Sequence, residues 1–184
     1  PMTMALRTID GRPQLCLEPD SHYTALVAAG QTLSFDGLQL VSEQHLLPDR
    51  VHGQVLDIDM NMHMQSADRA GIFVRATPDG NIGTSISYDM KKHVLVVDRS
   101  RSGLTDFSSK FSHEHIVNMP SRTGDISLHI IVDRNSIEIL SRNGSVVITD
   151  LIFPPARADR VIAFSENGMT NFRYMKITLL EGDL

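Results

Sequence analysis

The stretch Leu56-Asp57-Ile58-Asp59-Met60-Asn61-Met62-His63-Met64-Gln65 alternates apolar and polar residues over ten positions without a fault, and it decides the fold class. A period of two sends successive side chains to opposite faces of a strand, so the segment predicts a strand with one dry and one wet face. The same alternation returns at Ile126, Leu128, Ile130 and Val132, and again at Met175, Ile177 and Leu179. These residues are expected to point inward. Turn chemistry separates such runs at Thr77-Pro78-Asp79-Gly80-Asn81, Asp133-Arg134-Asn135, Asn143-Gly144 and Glu166-Asn167-Gly168. Asn143-Gly144 predicts a type I′ turn joining 136–140 to 145–149, because both residues tolerate positive φ. Strands are expected near 33–41, 54–64, 71–76, 82–89, 93–98, 126–132, 136–140, 145–149, 160–165 and 172–180. Helical spacing is nearly absent. The one helix candidate of any length is Ser21 to Ala29, opened by Pro19-Asp20-Ser21 and closed by Gly30. The fold class that follows is all-β: a two-layer antiparallel β-sandwich of jelly-roll or concanavalin-like type, with about ten strands.

No repeat and no compositional shift marks a second domain. The expected division is an N-terminal linker segment over residues 1–30, lying on the sandwich surface, and a β-sandwich domain over 31–184. Asp10-Gly11-Arg12-Pro13 and Glu18-Pro19-Asp20 carry the connector reading. With 41% hydrophobic and 21% charged residues, the composition is that of a globular chain able to bury a single core. Its longest apolar runs, such as Val94–Val97, fall far short of the ~20 residues that a membrane span needs. Seventeen Lys plus Arg against 22 Asp plus Glu give a net charge of −5 with no basic block, which argues against nucleic acid as a ligand. A lone Cys16 closes no intrachain disulfide and leaves the redox compartment open. Residues Pro1 to Arg7 lack the pattern of a signal peptide, and the opening proline suggests a processed, truncated or tagged product. The compartment stays unassigned.

Catalytic templates are missing. No Gly-x-Ser-x-Gly elbow occurs, and Ser112-His113-Glu114-His115 has neither the spacing nor the helical setting of a zinc-hydrolase motif, so a solvated loop is expected there rather than metal ligands. Asp57, Asp59, Asn61 and His63 on the wet face are chemically suited to calcium or to a sugar. A half-exposed strand also produces that pattern with no ligand at all. The Met60, Met62 and Met64 stripe reads as core filler, Asn143-Gly144-Ser145 is formally a glycosylation sequon, and no cofactor is implied. The charges at Asp98, Arg99 and Glu138 are unusual because they interrupt apolar strand segments, where an unpaired charge costs several kcal/mol. Two readings stay open: a structural ion pair between Arg99 and Glu138, or a carbohydrate-binding set of Tyr88, Asp98, Arg99 and Glu138. A third reading places an enzyme site near His63 or His113.

These segments also carry a family likeness. The order Gly71-Ile72-Phe73-Val74-Arg75, Gly83-Thr84-Ser85-Ile86-Ser87-Tyr88-Asp89, Val97-Asp98-Arg99-Ser100-Arg101-Ser102-Gly103, Phe107-Ser108-Ser109-Lys110-Phe111, Leu128-His129-Ile130-Ile131-Val132-Asp133, Ser136-Ile137-Glu138-Ile139 and Thr149-Asp150-Leu151-Ile152-Phe153-Pro154 resembles the C-terminal β-sandwich of glycoside hydrolase family 32, in the style of levanases, exo-inulinases and invertases. Gly11-Arg12-Pro13-Gln14-Leu15 with Glu18-Pro19 and Leu26 is similar to the linker that precedes that sandwich. The resemblance implies that hydrolysis belongs to an N-terminal five-bladed propeller with Trp-x-Asn-Asp-Pro-Asn, Arg-Asp-Pro and Glu-Cys type motifs. None of these is present: the chain has no Trp, no Asp-Pro, and a cysteine that follows Leu15. A retaining glycosidase needs two carboxyl groups ~5–5.5 Å apart, and the sequence names no such pair. The resemblance therefore implies an accessory domain of a β-fructosidase, inactive alone, whose partners are the catalytic propeller and, through self-association, a second copy. The alternative it implies is a levan- or inulin-binding module that holds a fructan oligosaccharide. Leu140 stands where the family often has an aromatic residue.

Overall fold

The computed structural model describes residues 2–9, 11–121 and 123–180. Pro1 and Asp10, which bear on the start of the chain and on the connector, lie outside the described residues. The elements are β1 (Met2–Ile9), β2 (Arg12–Pro19), α1 (Ser21–Ala29), β3 (Gln31–Val41), β4 (Gln44–Leu46), β5 (Leu56–Met64), β6 (Arg69–Ala76), β7 (Thr84–Asp89), β8 (Val94–Asp98), β9 (Glu114–Asn118), β10 (Asp125–Val132), β11 (Ser136–Ser141), β12 (Val147–Leu151), β13 (Arg160–Glu166) and β14 (Met169–Leu179). Two six-stranded antiparallel sheets face each other, in the orders β12-β11-β10-β5-β14-β3 and β4-β13-β6-β7-β8-β9. The two-layer sandwich is therefore the observed architecture. Each of the ten expected strands is found, and four further strands, β1, β2, β4 and β9, were not legible as such.

The alternation in β5 has the expected consequence. Leu56, Ile58, Met60, Met62 and Met64 are buried, with Ile126, Leu128, Ile130 and Val132 of β10 and Met175 and Ile177 of β14 beside them; Leu179 packs partly buried at the edge. Cross-strand registers Met60↔Leu128, Met60↔Met175 and Ile58↔Ile177 stack these side chains on the inner face of the first sheet. The other face of β5 departs from expectation, because Asp57 and Asn61 are buried while Asp59 is exposed. For Asp57 the reason is a cover: Tyr23, the one buried residue of α1, donates its hydroxyl to Asp57 at 2.7 Å. A nine-residue helix is marginal on its own. Here Asp20 caps it by accepting from the Tyr23 N–H at 2.9 Å, Gly30 closes it on Val27, and the Tyr23 hydroxyl ties it to the sheet.

The turns fall where the sequence put them, with one change of type. At 141–144 the Gly144 N–H donates to the Ser141 carbonyl, and only Gly144 has positive φ, so the turn is not type I′. Asn143 spends its side-chain oxygen on Ser141 and Ser145 instead, a local bond that holds it in ordinary backbone space. Both positive values occur at Asn167 and Gly168, between β13 and β14. Residues read as connector form an antiparallel ribbon, with β1 paired to β2 from Met2↔Pro19 to Ile9↔Arg12. Its only backbone anchor on the sandwich among the described contacts is that same turn. Leu17 N–H donates to the Gly144 carbonyl at 3.0 Å, and a Cβ at Gly144 would stand 2.0 Å from the Leu17 carbonyl oxygen. Gly144 thus serves both a left-handed turn and a close backbone approach. Among the described residues no helix is long and apolar enough to cross a membrane.

Candidate functional site

The four residues singled out from the sequence do not share a surface. Tyr88, in β7, is fully buried and donates its hydroxyl to the Met119 carbonyl at 2.9 Å; burial raises its pKa. Asp98, half-buried at the end of β8, accepts the Ser100 N–H at 2.8 Å and starts the loop that follows. Arg99 is 4% exposed and lies between the sheets. Glu138, half-buried in β11, alternates with the inward-facing Ile137 and Ile139 and so lies on the outer face.

The expected Arg99–Glu138 pair is therefore corrected. The carboxylate beside Arg99 is Asp150 of β12, 3.4 Å from the guanidinium. Strand alternation explains the choice: Asp150 sits opposite Ile137 in the β11–β12 register and shares its inner face, whereas Glu138 sits opposite exposed Thr149. Arg99 also donates to the carbonyls of Leu151, at 2.8 Å, and Ser112, and lies over the Phe111 ring with its carbon 4.2 Å from the centroid. His115, from β9 on the edge of the second sheet, reaches the same Asp150 at 2.7 Å. Asp150 is on the opposite edge of the sandwich's first sheet, so the Arg99–Asp150–His115 cluster clasps the two sheets together. Burial raises the Asp150 pKa, while the charges of Arg99 and His115 pull against it. Among the described residues Arg99 Nε and Asp150 Oδ2 have no hydrogen-bond partner.

A second buried aspartate lies on the outer face of the first sheet. Asp57 accepts from Tyr23 and meets His129 Nε2 at the same oxygen. Burial raises the Tyr23 pKa, and the hydrogen bond to Asp57 and the charges of Asp57 and Glu138 raise it further, so the phenol remains a donor. Beside this cluster a groove of about 720 Å³ runs between the β1–β2 ribbon and the β11–β12 turn, with the outer face of the sheet as its floor. The ribbon itself is two-sided. Cys16 is buried and Arg7 bonds to Glu18 and to the Asn143 carbonyl, whereas Met4, Leu6 and Leu15 on the other face are 69%, 76% and 59% exposed. Among the described residues no group of three or more His, Cys, Asp or Glu is arranged to hold a metal.

The family described as "Glycosyl hydrolases family 32 C terminal" matches residues 23–179, most of the chain. This chain belongs to that family. The family 32 C-terminal domain seen here is 33% identical over 178 residues to a protein of Aspergillus rugulosus named as a glycosyl hydrolase, covering 92% of this chain and 24% of that one. It is 28% identical over 172 residues to the extracellular exo-inulinase of Aspergillus awamori, covering 92% of this chain and 32% of the relative. The crystal structure of exo-inulinase from Aspergillus awamori superposes with a TM-score of 0.85 at 25% identity, over 98% of this chain and 35% of that one. The fold is shared with fructan 1-exohydrolase IIa of Cichorium intybus, TM-score 0.79, at 15% identity. The chain thus spans between 24% and 40% of the length of these relatives.

Within this family 32 domain, sequence reasoning missed Asp150 and the partners Tyr23 and His129 of Asp57, which it placed on the wet face of its strand without them. Asp150 carried the same signal that exposed Arg99, a charge inside an apolar run at Thr149-Asp150-Leu151-Ile152. Asp57 carried a weaker one. A short helix with nowhere to pack implies a sheet face that it covers, and Asp57 lies on the best-defined such face.

Proposed function

We propose that this domain is the accessory sandwich of a fructan- or sucrose-hydrolysing enzyme, docked on a catalytic propeller and silent by itself. The observation that carries the reading is the β1–β2 ribbon. A two-stranded ribbon is marginal in isolation, and this one presents Met4, Leu6 and Leu15 to solvent on a single face while touching the sandwich with the other. An exposed apolar face on a domain that spans a third of its relatives is what removal of a packed neighbour leaves behind. The ribbon joins directly to α1, and α1 is tied to the sheet through Tyr23 and Asp57, so force on the ribbon is passed into the sandwich. In this reading the sandwich fixes the ribbon and stiffens what rests on it. The same apolar face is available to a second copy when the partner is absent.

The test has two arms. The chain alone, incubated with sucrose, inulin and levan, is expected to release no fructose above a buffer control. A catalytic portion of a family 32 enzyme, produced separately, is expected to be captured and thermally stabilised by the chain, and Leu6→Asp with Leu15→Asp is expected to abolish capture without changing the melting of the sandwich. Turnover by the chain alone, or capture unaffected by the double variant, overturns the proposal.

A further inference from the structure

We infer that the groove between the β1–β2 ribbon and the β11–β12 turn is a binding site for a neutral saccharide, with the Tyr174 ring as its platform. Size is the first argument, since about 720 Å³ lies within the range of small-ligand sites. Chemistry is the second. Half-buried Tyr174 is ringed by three exposed charged side chains: Asp59, which accepts its hydroxyl at 3.4 Å, Lys176, whose ammonium is 5.9 Å from the ring centroid, and Arg142, which lines the same groove. An acceptor and two donors around an aromatic face suit a molecule whose hydroxyls both donate and accept and whose ring C–H groups stack.

Charge balance excludes the alternatives. The groove holds three carboxylates, Glu18, Asp57 and Asp59, and three fixed cations, Arg7, Arg142 and Lys176. Arg7 and Glu18 neutralise each other, and Asp57 and Asp59 then balance Arg142 and Lys176. No excess of either sign remains to select an anion or a metal ion, whereas a polyol matches a balanced set. The floor adds an independent feature. Asn61, 7% exposed and opposite Tyr174 in the strand register, gives its amide N–H to Ser127 at 2.8 Å. Ser127 lines the groove. Asn61 does not itself line the groove, so the polar group that the floor offers a ligand is the Ser127 hydroxyl, which the Asn61 amide holds in place.

The inference rests on the groove and not on docking to a propeller; only the choice of fructosyl probes rests on the proposed parent enzyme. Calorimetry and amide-shift mapping on the whole chain, with 1-kestose, a levan trisaccharide, maltotriose and inorganic phosphate at millimolar ligand, separate the cases. Saturable binding of at least one neutral trisaccharide is expected, with shifts at Ser127 and Tyr174 and none from phosphate. Asp59→Ala and Arg142→Ala, both at exposed positions, are each expected to weaken binding about tenfold with unchanged melting, the effect of one charge-assisted hydrogen bond. Binding of maltotriose alone supports the site and counts against the fructan origin of the ligand. No saccharide binding, phosphate binding in preference, or saccharide binding untouched by both variants overturns the inference.

Discussion

Two buried aspartates, one on each face of the first sheet, solve the same problem in different ways. Asp150 faces inward and has a fixed cation, Arg99, with His115 as a second neighbour. Asp57 faces outward and has a phenol, Tyr23, with His129 as its second neighbour. A guanidinium that cannot lose its proton compensates a carboxylate at any working pH. A phenol offers a dipole only. The difference matches location: the inner cluster joins two sheets that must not separate, and the outer one fastens a nine-residue helix that leads to an exposed ribbon. The sandwich is thus clasped tightly inside and buttoned more lightly on the side that is proposed to meet a partner.

The largest expected effect comes from breaking the inner clasp. Arg99→Ala strips Asp150 of its fixed cation and leaves the carbonyls of Leu151 and Ser112 without their donor, so a loss of about 3–5 kcal/mol is expected by chemical denaturation. A loss under about 1 kcal/mol would show that the cluster is solvated like a surface pair. Breaking the outer button costs less. Tyr23→Phe keeps the ring and removes one hydrogen bond to a carboxylate, an expected loss of about 1–3 kcal/mol. Hydrogen exchange adds a sharper test, because loss of protection should be concentrated in residues 21–29; uniform loss across both sheets would mean that Tyr23 supports the core rather than the helix.

The third prediction concerns pH. Because burial raises the Asp150 pKa, the folded chain holds that proton to higher pH than the unfolded chain does. Stability from this group is present in full below the unfolded pKa and is lost as pH rises through the folded one. Asp150→Asn removes the slope. The stability difference between the native chain and the variant is therefore expected to grow in favour of the native chain as pH is lowered from neutral toward the ordinary aspartate range. A constant difference across that window would contradict the raised pKa.

How much of this was legible depends on which physical signal a residue carries. Period-two alternation specifies both strand and face, so the inner residues of β5, β10 and β14 were readable, while the other expected strands were legible as apolar and β-branched runs between turns. Strands β1 and β2 were not, because Arg12-Pro13-Gln14-Leu15 carries turn-forming residues and its apolar positions face solvent rather than a core. Strand β9 was hidden in a histidine-rich stretch that reads as a loop, although His115 makes an inter-sheet contact from it. Charges inside apolar runs announced that partners were needed and did not say which. Arg99 lies against Asp150. The choice of Asp150 over Glu138 is a matter of parity across the Asn143-Gly144 hairpin, where the register sets Ile137 and not Glu138 opposite Asp150, and a single strand's sequence does not contain that register.

The smallest expected effect tests that parity directly. Glu138 and Asp150 differ in which face of the first sheet they occupy, and only Asp150 contacts Arg99. A double-mutant cycle on Arg99 and Asp150 should show strong coupling, because each single change leaves a buried charge and the double change leaves none. The matching cycle on Arg99 and Glu138 should be additive to within about 0.3–0.5 kcal/mol, as for sites that share no partner. Glu138 has its own neighbour on the outer face, since its charge contributes to raising the Tyr23 pKa. Glu138→Gln is therefore expected to leave the inner clasp untouched and to couple weakly with Tyr23→Phe. Coupling between Arg99 and Glu138 above about 1 kcal/mol would place both charges on one side of the sheet and overturn the register on which the two-aspartate comparison depends.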